Sequence, residues 1–313
     1  MLRRVVLLAL VGLSAEAAAA ASQCLGTGGS LLIFDETFVV SLAPDGAENQ
    51  LKATLCKPLI QRPGLLFDYS SWDISAFNYL SPIYDQQGVT VGVVPLSFLE
   101  LRVDASALAI WTLPLEGAGY FAFPGYTTHF TEKEMPASRA RSAYGANVTL
   151  SARLQGEVPV FDDKLVLTNT FQLDYWHVGD ASHYYNARRD VVLARSDWLV
   201  KNNATLLFKV RASSTVSLQF GVQDDLTWVP ASNYVANIVG AFLSVPIRRQ
   251  GRLRDLEPFV RLGAYTHHAH RVGFQLFGGL SLAWGLPVEE RSVSSSIPPR
   301  GRSSETALAR GTR

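Results

Sequence analysis

From Val272 to Leu286 the chain alternates with a period of two: Val272, Phe274, Leu276, Leu280, Leu282, Trp284 and Leu286 carry large apolar side chains, and Gly278 is the one break. Arg271 precedes the run, and Gly273, Gln275, Phe277, Gly279, Ser281, Ala283 and Gly285 fill the positions between. A period of two means a strand with two unlike faces. A soluble sheet points its bulky face at a core and a charged face at water. Here the opposite face is mostly small, which suits a wall curved around a lumen. Fifteen alternating positions exceed the usual strand of about 5 to 6 residues, whereas about 9 to 11 tilted residues cross a bilayer core. Pattern and length predict a membrane-spanning barrel strand.

The preceding segment supplies a partner, with Val260, Leu262 and Ala264 alternating with Arg261, Gly263 and Tyr265, and a short link through His267, His268, Ala269 and His270. A lone hairpin in lipid leaves its backbone donors and acceptors unpaired, so it can exist only within a closed sheet. The rest of the chain must provide the other strands.

The ends read differently from the middle. Arg3 and Arg4, the apolar run Val5 to Leu13 and the alanine-rich stretch to Ala21 and Ser22 have the three regions of a secretory signal peptide, assigned to residues 1–21. Gln23 stands before Cys24, where lipoprotein signals have a small residue, so lipidation is not expected. Cys24 and Cys56 are the only cysteines, and in an oxidising compartment the pair is expected to form one disulfide. Residues 287–313 shift to Ser, Pro, Gly, Arg and Glu without apolar periodicity, which predicts a disordered tail.

Between the ends, residues 22–63 hold two apolar segments that could be first strands or a cap, and the barrel is placed over 64–286. Leu99 to Trp111 alternates with Glu100, Arg102, Asp104 and Ser106. A central Arg or Lys facing lipid would cost about 2 to 4 kcal/mol, so these charges belong on the lumen side. The same parity assigns Arg153, Lys164, Asp174, Lys209, Arg211, Arg261 and Arg271 to the lumen. The charge-rich piece Asn186 to Leu199 reads as a strand with charged lumen contacts and a wet end. Trp228 to Ile247 lacks charge, but Pro230, Asn233, Asn237, Gly240 and Pro246 argue against a helix and for a strand from Tyr234 to Val245. At about 18 residues per strand and turn, the barrel holds about 12 strands, within a range of about 10 to 14.

These repeated two-faced segments after a signal peptide resemble bacterial outer-membrane β-barrel proteins as a class. Gly279, Leu282 and Trp284 fit three of the four places of the assembly signal that such barrels carry in their last strand, while Phe277 stands where a polar residue is expected. The resemblance implies an all-β, antiparallel transmembrane barrel in the outer membrane of a Gram-negative cell envelope. It also implies outer-membrane lipid and the barrel-assembly machinery as partners.

Motifs that carry chemistry are sparse. A near-neutral chain, formally +1, argues against a nucleic-acid partner. His267, His268 and His270 sit at a hairpin tip with no carboxylate beside them in sequence, so no metal site is assigned. No serine stands in a recognisable nucleophile motif and no cofactor motif is present, so no catalytic residue is assigned. The leading expectation is a porin-like barrel that passes or houses small hydrophilic solutes, or serves a structural role in the envelope. A secreted soluble β-sandwich binding module is the alternative. A lipid-modifying enzyme of the outer membrane comes third, and it requires a Ser and a His within hydrogen-bond reach near the aromatic girdle.

Overall fold

The computed structural model describes residues 30–42, 45–60, 64, 66–248 and 253–288. The assigned signal peptide, Cys24 and all of the tail beyond Val288 lie outside the described residues.

The described residues form strands β1 (Leu31–Leu42), β2 (Gly46–Pro58), β3 (Ser71–Leu80), β4 (Tyr84–Leu96), β5 (Leu99–Ile110), β6 (Ala122–Phe123), β7 (Ala143–Val160), β8 (Asp163–Val178), β9 (His183–Asn186), β10 (Val191–Ala194), β11 (Ser196–Arg211), β12 (Ser217–Val229), β13 (Tyr234–Ser244), β14 (Ile247–Arg248), β15 (Leu253–His267) and β16 (Phe274–Pro287). Twelve of them, all but the short β6, β9, β10 and β14, pair antiparallel with their neighbours in chain order. The ring closes where β16 pairs with β1, from Leu31 opposite Pro287 to Leu42 opposite Leu276. Closure leaves no wall edge with unpaired backbone, the condition for a sheet that stands in lipid.

Alternation sorts the side chains. Phe38, Val89, Val103, Leu167, Val222, Leu262 and Leu280 point outward and are exposed, while their neighbours Thr37, Thr90, Arg102, Gln223 and Arg261 point inward. The outer wall is thus a belt of exposed hydrocarbon, far larger than the apolar patches soluble monomers tolerate. One row of cross-strand neighbours starts at Trp284, runs through Phe34, Ala53, Ala76, Val89, Ala105, Val148 and Tyr175, and ends at Trp198. Because the strands tilt, that row climbs from the aromatics near one rim to those near the other, the two girdles of a membrane barrel. The first and last strands begin and end at the lower rim. The upper rim carries the two long connections, residues 111–142 and 179–195.

The structure moves several boundaries. β1 and β2 precede Gly64 and are wall strands, so the ring spans Leu31–Pro287 and the count of twelve is reached with ten strands after Gly64. The long upper connections absorb the difference. Only Ser196 to Leu199 of the charged piece belongs to the wall; Asn186 to Ala194 lies in the connection before it. Val272 is 91% exposed, and it and Arg271 stand in the β15–β16 link rather than on a strand. The closed ring does not favour the soluble sandwich: among the described residues the second, three-stranded sheet β10–β9–β6 packs on the upper connection, and the bulky outer face of the ring stays exposed.

The occluded lumen as candidate functional site

The connection from β8 to β11 folds back as a hairpin. Gly179 opens it at φ +67°, and a Cβ there would meet the Tyr120 ring at 2.4 Å, so only glycine fits the departure. β9 and β10 then pair from Val191–Asn186 to Ala194–His183, and β6 adds a third strand against β9. The short strands bury Tyr184, Tyr185, Val191, Val192 and Leu193. Those side chains pack with Tyr120, Phe121, Phe123, Phe130 and Met135 from the other long connection. An apolar hairpin of this size cannot stand alone in water; the barrel supplies its surroundings.

The tip carries three consecutive charged residues, and each meets a different sector of the lumen. Arg188 pairs with Glu48 of β2 at 3.4 Å, donates to Gln86 of β4 at 2.8 Å, and lies 4.5 Å over the Tyr79 ring of β3. Glu48 also accepts the Tyr84 hydroxyl. Arg189 pairs with Asp174 of β8 at 2.7 Å, both side chains being almost fully buried. Asp190, at φ +52°, accepts from Tyr185 at 2.8 Å and from Arg271 at 3.0 Å, and lies 3.2 Å from His268 Nε2. His268 Nδ1 accepts the Arg271 backbone N–H, which leaves the proton on Nε2 facing Asp190. Burial alone would raise the Asp190 carboxyl; the hydrogen bond from His268 and the Arg271 charge outweigh it and hold the group below the ordinary carboxylate range. Partners on β2, β4, β8 and the β15–β16 link surround the tip, so it sits across the lumen.

Below the tip the wall fills its own interior. Arg102 bonds Glu100 and lies 3.6 Å from Asp73, Arg153 is 4.0 Å from Glu100, and Thr90 donates to Asp104 at 2.5 Å. On the other side Arg261 reaches Asp225 at 3.3 Å and Gln275 at 2.6 Å, and Lys201 is 3.9 Å from Asp225. Between these groups Val39, Leu207, Phe242, Phe259 and Phe277 form an apolar cluster facing inward. Phe277 therefore occupies the place of the expected polar residue because it packs on Phe259 at 5.8 Å. Asp73 is 0% exposed and Thr90 2%, values that an open aqueous channel would not leave on its lining. At the lower rim Lys164 and Lys209 pair with Glu157, and Arg211 is exposed, so that mouth is wet.

Of the ten charged positions assigned from parity, Glu100, Arg102, Asp104, Arg153, Asp174 and Arg261 lie in the packed interior and Lys164, Lys209 and Arg211 at the lower mouth. Arg271 alone comes from a link, and it holds Asp190. Parity could not find Arg188, Arg189 or Asp190, because the hairpin strands are too short to show a period, and Glu48 stands on β2, in the segment 22–63 that the sequence left between wall strands and a cap. The histidine link does have a carboxylate beside it, brought from 78 residues away in sequence as Asp190 meets His268. Cys56 is buried near Leu31 and Ile33 and is disulfide-bonded. Its predicted partner, Cys24, lies outside the described residues, so that pairing is a proposal. Outside the lumen, His177 Nδ1 and Ser196 Oγ stand 2.6 Å apart as direct cross-strand neighbours at the upper girdle, one position from Tyr175 and Trp198 on the same face.

No family model matches this chain, and no curated protein matches it in sequence. Among solved structures, a KdgM porin in complex with disordered oligogalacturonate has a TM-score of 0.35 at 9% identity, over 80% of this chain and 98% of the porin. The translocator domain of the autotransporter NalP from Neisseria meningitidis has a TM-score of 0.41 at 9% identity, over 82% and 88% of the two chains. The NanC porin has a TM-score of 0.37 at 10% identity, over 80% and 98%. Likenesses this distant say nothing of solute, partner or activity.

Proposed function

We propose that this chain is an integral barrel of the bacterial outer membrane, porin-like in architecture, whose path for small hydrophilic solutes is held shut by its own hairpin. The observation that carries this reading is the tip Arg188–Asp190, buried in ion pairs with separate sectors of a polar-lined lumen. Glu100, Arg102, Asp104, Arg153, Asp174 and Arg261 would line the path once the tip withdraws, with Lys164, Lys209 and Arg211 at its lower mouth. The exposed hydrocarbon belt would contact lipid, and Gly279, Leu282 and Trp284 of β16 would be read during assembly. Planar-bilayer recordings test the proposal. The intact protein should be silent, and a variant lacking residues 182–194 should show steps in current. A deletion variant that folds and stays silent would demote the barrel to a structural envelope role.

A second reading rests on His177 and Ser196. Their separation meets the hydrogen-bond reach a base and its nucleophile need, and both face outward at the level where acyl esters of lipid would lie. Among the described residues no carboxylate forms an ion pair with His177, so the pair lacks the orienting third group of a triad. Labelling by a fluorophosphonate probe that Ser196→Ala abolishes, with phospholipid hydrolysis lost in parallel, would establish the activity; absence of both removes it.

A further inference from the structure

The outer wall is not uniformly apolar. Asn169 on β8, Asn202 on β11, Asp224 on β12 and Asn237 on β13 all occupy outward positions, since their neighbours Thr170, Lys201, Gln223, Asp225 and Ile238 belong to the inner face. They form a continuous zigzag. Asn169 and Asp224 both pair with Ala204, while Asn202 and Asn237 both pair with Leu226.

The depth of this seam follows from strand register. Counting pairing steps from Trp72 at the lower girdle through Val93, Leu101, Ala152 and Phe171, Asn202 is the fifth, whereas the row from Trp284 takes eight steps to reach the upper girdle at Trp198. Asn202 thus lies well inside a hydrocarbon belt about 25 Å tall. Asp224 lies one residue pair lower. A polar or ionised side chain in that layer is costly unless another group bonds it.

Asn169 and Asn202 satisfy each other in part, with amide bonds of 3.1 and 3.2 Å. Asp224 Oδ1 and Asn237 Oδ1 are buried without a hydrogen-bond partner among the described residues. The wall from β1 to β4 offers an internal contrast, because its outward carboxylates are already bonded: Asn49 donates to Glu36 at 3.4 Å, and Asn78 and Gln87 donate to Asp85 at 2.5 and 2.7 Å. Asn49 Oδ1 on that wall also lacks a partner, but the outward carboxylates there are answered on their own wall, whereas the β8–β13 seam leaves both the Asp224 carboxylate oxygen Oδ1 and Asn237 Oδ1 unanswered among the described residues.

We propose that the β8–β13 face is the interface of a symmetric dimer in the membrane, with the seam of a second copy as its occupant. A second copy inserted in the same orientation carries its own seam at the same depth, which no soluble partner can do. A twofold axis along the membrane normal brings the two seams face to face with reciprocal contacts. Amides both donate and accept, so three asparagines per copy form a self-complementary set, and their N–H groups can answer the Asp224 carboxylate.

This inference rests on the membrane reading proposed above, and the two fail in different ways. Full-length protein is extracted from membranes in mild detergent and its protein mass measured by light scattering. Two chains per particle are expected, and Asn202→Leu with Asn237→Leu should weaken dimerisation by about tenfold or more. Heat-modifiable migration of that variant confirms an intact barrel, since leucine suits a lipid-facing position. Asp224→Cys, oxidised in the membrane, should give a disulfide-linked pair of this chain, while Leu101→Cys on another face should not. A monomeric wild type whose mass the leucines leave unchanged overturns the dimer, as does a cross-link to a different protein. Recovery without detergent would instead overturn the membrane reading itself.

Discussion

The wall and the hairpin it encloses are both antiparallel β-structure, yet different forces hold them. Wall strands of 10 to 18 residues share long ladders with two neighbours each, with register shifts in only three of them. The hairpin strands have four residues apiece, and their position depends on three charged side chains at one tip and on aromatic packing above it. A ladder that closes on itself must come apart cooperatively, whereas a hairpin anchored by side chains can leave as a unit. The comparison teaches that closure of the lumen and integrity of the barrel are separable properties.

The largest expected effect tests that separation directly. Deleting residues 182–194 should leave heat-modifiable folding intact and turn a silent protein into a conducting one. Adding Phe259→Ala and Phe277→Ala should enlarge the steps, because the apolar cluster lies in series below the hairpin. If the phenylalanine changes conduct alone while the deletion stays silent, the hairpin is not the closure. Failure of the deletion variant to insert would show that the wall needs its contents.

Breaking one anchor should cost less. Arg189→Ala leaves Asp174 buried and unpaired, a loss of about 3 to 5 kcal/mol, read from urea unfolding in detergent micelles. Asp174→Asn combined with Arg189→Met should recover much of that loss. A single change that leaves unfolding untouched would mean the tip is not seated as described.

The two faces of the wall give the next contrast. Leu280→Arg puts a guanidinium outward beside Phe38 and Pro258 and should destabilise the barrel by about 2 to 4 kcal/mol. Ser281→Arg points inward toward Glu257 and should leave insertion intact. Leu282→Arg should hurt less than Leu280→Arg, because position 282 is the cross-strand neighbour of Glu36, whose carboxylate faces the same way. Equal damage at 280 and 282 would argue against that placement of Glu36.

Acid should have the smallest effect over the ordinary range. Asp190 has a folded pKa held below its unfolded value by His268 and Arg271 against the opposing effect of burial. The anchoring it contributes is therefore fully present above the unfolded value of about 3.9, and is lost only as pH falls through the lower folded value. Conductance of the intact protein should be equally absent at pH 8, 6 and 4.5. Opening near pH 6 would mean that the Asp190 anchor does not control closure.

Alternation by itself determined that this chain makes long two-faced strands, and the Leu99–Ile110 and Phe274–Pro287 strands place their bulky and polar side chains as their spacing requires. It also determined a ring, since strands with one hydrocarbon face and one polar face can satisfy both lipid and backbone only by closing. Residues 31–58 were undecided in sequence because their outward face mixes Glu36 and Asn49 with Phe34 and Phe38, and only the pairing of β1 with both β2 and β16 made them wall. The contents of the lumen were beyond the sequence. Periodicity reports which way a side chain turns within a strand, a local property of backbone geometry, while the meeting of Arg188 with Glu48 or of Asp190 with His268 depends on chain brought across the barrel from 140 and 78 residues away. Four-residue strands carry no period to read, so the tertiary structure alone decided that the polar-lined barrel is filled.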